Sequence, residues 1–111
     1  MASKNHIELV LYLRVTTPRS MLLDANEAAY EEDPDWPYQI ESGAPEGESW
    51  LSLTLLSEDY DAFPAVWLGD VNFPDEALKA TTRVNAAGFS VLETRLGLVC
   101  WYDASDRPFP R

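Results

Sequence analysis

The groups through which this 111-residue chain could do acid–base or covalent chemistry are one cysteine, Cys100, one histidine, His6, and nineteen carboxylates. A cysteine nucleophile needs an imidazole or a cation beside it to hold the thiolate. Cys100 lies in "LGLVCWY", which reads as the setting of a buried small hydrophobe, and His6 lies in an N-terminal leader expected to be mobile. A serine relay would draw on the same His6, and the chain has neither a GxSxG elbow nor a phosphate-cradling glycine loop. "EEDPD" and "DYD" supply carboxylates without calcium-loop spacing, and there is no HExxH, cysteine pair or histidine cluster. Acid pairs of the glycosidase kind are so abundant that none is singled out. The expectation is therefore no enzyme, no metal and no cofactor. A small enzyme using a carboxylate site is the alternative that a pocket of converging carboxylates with shifted pKa values would revive.

Recognition suits the same residues better. Residues 20–78 hold fifteen acids and no Lys or Arg, while the flanks hold four acids and all eight bases, so the middle carries −15 and the ends +4. Such a field repels nucleic acid and anionic membranes and speeds encounter with a basic protein. Trp36, Tyr38, Trp50, Tyr60, Phe63 and Trp67 are interleaved with these acids. Aromatic rings can serve as desolvated anchors while carboxylates around them pair with Arg or Lys. The expected partner-binding set is Asp33, Asp35, Trp36, Glu48, Trp50, Glu58, Asp59, Tyr60, Asp61 and Asp70. Four tryptophans are also core volume, Trp67 and Trp101 above all, which leaves Tyr60 with Asp59 or Asp61 as the more exposed contacts. Acidity that serves only solubility is the plainer explanation of the charge.

The elements that must position these residues follow from periodicity. "HIELVLYLRV" alternates as a central strand, with Ile7, Leu9, Leu11, Leu13 and Val15 on one face and Glu8, Val10, Tyr12 and Arg14 on the other. A helix follows, with Thr17 as N-cap, Pro18 at its first position, Leu22, Ala25 and Ala29 on its inner stripe beside Met21 and Ala28, and Pro34 beyond its end. Glu31, Glu32 and Asp33 crowd its last turn, where the helix dipole disfavours anions, so a shortened or frayed end is expected. "WPYQIES" and "ESWLSLTLLS" read as a hairpin with an open register, the second strand placing Leu51, Leu53 and Leu55 opposite Trp50, Ser52, Thr54 and Leu56. "NFPDEALKATTRVNAAG" is the clearest helix, with Pro74 in its first turn, Asp75 and Glu76 after it, and Gly88 as its stop. Its inner face is read as Ala77, Thr81 and Val84, with Ala87 or Leu78. "FSVLETRL" and "LVCWY" form two strands about Gly97 or one bent there.

The result is an α+β chain, a small two-layer sandwich with an antiparallel sheet and two helices on one face, an order compatible with the ferredoxin-like arrangement. Residues 6–103 are expected to be one domain, with 1–5 a flexible end and 104–111 a peripheral tail. An apolar fraction of 46% is enough for a folded core despite the net charge of −11. No apolar run approaches a membrane span and no signal peptide is evident, so a cytoplasmic protein is expected, with no membrane and no nucleic acid as direct partner. In size and acidity alone the chain resembles small toxin-neutralising immunity proteins. The leading expectation is an immunity or inhibitor protein against a basic partner such as a toxin nuclease. The alternative is an assembly subunit that forms a homodimer or larger homo-oligomer through an exposed sheet face or edge.

Overall fold

The architecture is that of a computed structural model, which describes residues 5–60 and 71–101, and of residues 5, 58–60, 100 and 101 the backbone alone. Its elements are β1 (Asn5–Val15), α1 (Arg19–Glu32), β2 (Gln39–Ile40), β3 (Ser49–Tyr60), α2 (Phe73–Ala86) and β4 (Val91–Trp101). The four strands form one antiparallel sheet in the order β2-β3-β1-β4. The chain is thus an α+β fold with β1 inside the sheet, as its alternation predicts. The expected flexible N-terminal end, apart from the backbone of Asn5, and the expected C-terminal tail fall outside the described residues, as do Phe63 and Trp67.

One face of β1 meets both helices. Leu11, Leu13 and Val15 are buried with Leu51, Leu22 and Ala29 from α1, and Ala80 and Val84 from α2. The other face has a separate cluster of Val10, Tyr12, Trp50 and Val99, with Ala44 packed against it. Period-two alternation sends adjacent residues of β1 to opposite faces, and both faces are apolar enough to be buried.

Several boundaries differ from the sequence reading. Pro18, with an extended ψ of 142°, is the N-cap of α1 and not its first helical residue; no side chain caps it. The last turn of α1 does not fray: the helix runs through Glu32, and the Asp33 N–H closes it on the Ala29 carbonyl at 3.0 Å. In β3 the pairing shifts between Leu9 and Val10, so Leu55 is extra and Leu56 stands opposite Leu9, on the face where Leu9 and Ile7 lie and not beside Thr54. A bulge of this kind reverses the face of every residue beyond it. β4 is one continuous strand through Gly97, which pairs with Val10. The inner face of α2 is Ala80 and Val84, with Ala77 and Thr81 partly buried, whereas Leu78 and Ala87 face outward.

Helix α2 is the more conventionally built of the two. The Asp75 N–H donates to Asn72 Oδ1 at 3.1 Å, Asp75 and Glu76 occupy the positive first turn, and Arg83 the negative last turn. Gly88 follows with φ of +98°, a conformation that disfavours a Cβ. Arg19, at the start of α1, fixes the long β2–β3 connection by donating to the carbonyls of Ser42, Ala44 and Pro45.

Candidate functional site

Helix α1 has no acid in its first turn and no base in its last. Its sequence carries apolar residues around more of its circumference than the sheet can cover. Leu22 and Ala29 are buried, but Met21, Leu23 and Tyr30 are exposed, Tyr30 to 58%. Leu23, Glu27 and Tyr30 fall at helical spacing on one outward stripe, with Glu31 beside them. Glu27 and Glu31 are like charges four residues apart, an arrangement that costs an isolated helix about 0.2–0.5 kcal/mol. The negative end of the α1 dipole adds to the potential of Glu31, Glu32 and Asp33 at this pole.

Two grooves flank the C-terminal half of α1, and Trp36 lines both. One, of about 470 Å³, is bounded by Asn26, Glu27, Tyr30, Glu31 and the chain from Trp36 to Gln39. The other, of about 490 Å³, lies between the ends of α1 and α2, floored by Ala28, Ala29, Ala86 and Ala87 and rimmed by Glu32, Asp33 and Arg83. Trp36 is held from several sides: its Nε1–H donates to Asn26 Oδ1 at 2.9 Å, its ring meets Tyr38 edge-on at 4.7 Å, and it stacks near Phe89 at 6.1 Å. The Arg83 guanidinium lies 5.9 Å from the Trp36 ring and donates to Asp33 Oδ2. That hydrogen bond holds the Asp33 carboxyl below its ordinary range, against the opposing effect of desolvation, and the Asp35 N–H adds to the lowering. Burial pushes the Tyr38 phenol up. A carboxylate that acts as a general acid near neutrality must shift upward, and Asp33 shifts the other way.

Among the described residues, the expected partner-binding set is divided between two sides of the sheet. Asp33, Asp35 and Trp36 lie together at the end of α1, with Asp35 exposed and Trp36 in the core. Trp50 is on the opposite side of the sheet, fully buried; its Nε1–H donates to Glu48 Oε1 at 3.0 Å and Arg95 covers its ring at 4.8 Å. Glu48 also pairs with Arg14 at 3.5 Å, and Arg14 with Glu93 at the same distance. Glu58, Asp59 and Tyr60 lie at the far end of β3, their backbone opposite Ile7, His6 and Asn5. At about 3.3 Å per residue that end stands roughly 30 Å from Trp50. Asp61 and Asp70 lie outside the described residues. The outward residues of α1, Leu23, Glu27, Tyr30 and Glu31, are absent from the expected set. Their signal was present in part: Leu23 and Tyr30 do not fit the inner stripe of Leu22, Ala25 and Ala29, whereas Met21 and Ala28, expected beside that stripe, are exposed because the sheet covers a narrower arc of the helix.

His6 is part of β1, opposite Asp59 on one side and Trp101 on the other, and not in a leader. The Ser57 hydroxyl and His6 Nε2 are 2.9 Å apart, and Glu8 Oε2 is 3.2 Å from the same nitrogen. A nucleophile relay places serine and carboxylate on opposite ring nitrogens, and here both meet Nε2. Among the described residues, no group of three or more His, Cys, Asp or Glu side chains is arranged to hold a metal ion, and no helix is long and apolar enough to cross a membrane.

In class, this is a small α+β domain with an acidic, partly apolar helix face bordered by two grooves. No protein-family model matches the chain, and neither a curated protein nor a solved structure matches it.

Proposed function

We propose that this chain is an acidic protein-binding factor, of the immunity or inhibitor kind, that neutralises a basic partner such as a toxin nuclease. The observation that carries the reading is Tyr30, an exposed aromatic ring between Glu27 and Glu31 at the lip of a groove, on a helix whose only base is Arg19 at its start. The ring and Leu23 offer apolar area for a desolvated centre, and the carboxylates offer acceptors for Arg or Lys at the rim. The excess of acid over the middle of the chain would raise the encounter rate.

Titration of a panel of basic nuclease domains by calorimetry across salt concentrations tests this. The expected result is one tight complex that survives high salt and is weakened by about tenfold or more in Tyr30→Ala. Binding that disappears for every nuclease as salt rises, and that ignores Tyr30→Ala, would show generic charge attraction and overturn the reading.

A further inference from the structure

We infer that β4 is a homodimer edge, which pairs antiparallel with β4 of a second copy about a two-fold axis at Thr94. β4 is the outer strand next to β1, and no strand adjoins its other edge among the described residues. A long unpaired edge is a template for another strand, and proteins that remain monomeric blunt it with charge, proline or a bulge; the one register shift of β4, at Leu92, lies at its start and leaves residues 93–101 regular. β4 has no proline, and its two charges are of opposite sign, Glu93 and Arg95, which pair with each other at 3.5 Å in the single chain and would exchange that pair for cross-strand ones in a dimer.

The spacing of those charges selects the partner and the register. In an antiparallel pair related by a two-fold axis, some residue stands opposite its own copy. With Thr94 in that place, Glu93 stands opposite Arg95 of the second copy and Arg95 opposite its Glu93, giving two cross-strand ion pairs. The same register brings Leu92, the extra residue where β4 shifts between Glu93 opposite Arg14 and Val91 opposite Val15, near Leu96 of the second copy, twice. Centring on Glu93 or Arg95 opposes like charges, and centring on Leu96 opposes each charge to an apolar residue or a glycine. Leu92, Leu96 and Leu98 are 59%, 42% and 53% exposed in the single chain, an unusual density of leucine on a free edge. Leu96 and Leu98 stand opposite Leu11 and Leu9, so they share the helix-side face and extend that core outward. Charge distribution permits it: β4 and α2 together carry Lys79, Arg83 and Arg95 against Asp75, Glu76 and Glu93, so two chains of net charge −11 meet at a side of no net charge and keep α1 apart. The inference is independent of the surface on α1, so either can fail without the other.

Sedimentation of the full chain over a wide concentration range should show a reversible monomer–dimer equilibrium. Arg95→Glu and Glu93→Arg should each weaken it by about tenfold or more, since each puts like charges at both cross-strand positions. An equimolar mixture of the two variants should dimerise again, because in the mixed pair every cross-strand position is complementary. Circular dichroism establishes that each variant is folded. If one is not, Thr94→Cys with Cys100→Ser gives the second readout, an intermolecular disulfide at the axis. A concentration-independent monomer, a dimer indifferent to both charge changes, a mixture of folded variants that stays monomeric, or no disulfide at position 94 would each overturn the inference.

Discussion

Arg83, in the last turn of α2, donates to the carboxylate of Asp33, the residue that closes α1 fifty positions earlier. One guanidinium thereby supplies a cation to the negative ends of two helices and lies against Trp36 between them. The pairing offsets part of the repulsion among Glu31, Glu32 and Asp33 in the last turn of α1, which the Asp33 N–H closes on the Ala29 carbonyl.

The pairing makes stability depend on acidity. Asp33 is more acidic folded than its ordinary pKa of 3.8, chiefly through the Arg83 hydrogen bond. Its stabilisation is complete above 3.8 and is lost as pH falls through the lower folded value. Asp33→Asn should therefore unfold at lower denaturant concentration than the parent at neutral pH and converge with it in strong acid. The pair is about two-fifths exposed, so screening keeps the difference small. A difference that persists undiminished into strong acid would break the link to Asp33.

Trp36 separates a hydrogen-bonding effect from a packing effect. Trp36→Phe keeps an aromatic ring but removes the donor to Asn26, and should cost about 0.5–1.5 kcal/mol. Trp36→Ala removes the ring that meets Tyr38 and Phe89, and should cost about 3–5 kcal/mol. Equilibrium denaturation measures both; equal losses would mean that the ring contacts contribute little.

Tyr30 should behave in the opposite way. It is exposed on α1, so Tyr30→Ala is expected to change stability by no more than about 0.5 kcal/mol while the affinity for a basic partner falls. Thermal melting of parent and variant provides the check, and a large drop in melting temperature would place the ring in the fold's own packing.

The two ends of α2 depend on single residues. Asn72→Ala removes the acceptor for the Asp75 N–H and should cost about 0.5–2 kcal/mol. Gly88→Ala places a Cβ at φ of +98° with no atom within 4 Å to obstruct it, so its cost of about 1–2 kcal/mol is conformational. Replacing Gly88 with Asn, which tolerates positive φ better, should recover part of that loss.

The faces of β1 were legible in the sequence because alternation maps directly onto the pleat, and α2 was legible because Asn72, Pro74 and Gly88 mark both ends. The bulge at Leu55 was not, since one leucine among several in "LSLTLLS" carries no sign of being unpaired. The Asp33–Arg83 contact joins residues fifty apart and follows only from the packing of two helices. For the candidate site, chain-wide acidity was visible, but of the aromatic residues named with it whose side chains are described, Trp36 and Tyr38 lie on one side of the sheet and Trp50 on the other. Trp36 and Trp50 each found a hydrogen-bond acceptor and entered the core, while Tyr30 remained outside.

The two apolar clusters on either side of β1 have a kinetic consequence. The strand is laddered to β3 and to β4, and residues 10–13 are shielded from water above and below the sheet. Amide protons there exchange with solvent only when the whole sheet comes apart, whereas those of the two-residue β2 exchange through local opening. Deuterium uptake at Leu11 and Leu13 would therefore report the global unfolding free energy, making β1 the internal gauge against which every substitution in the molecule can be read.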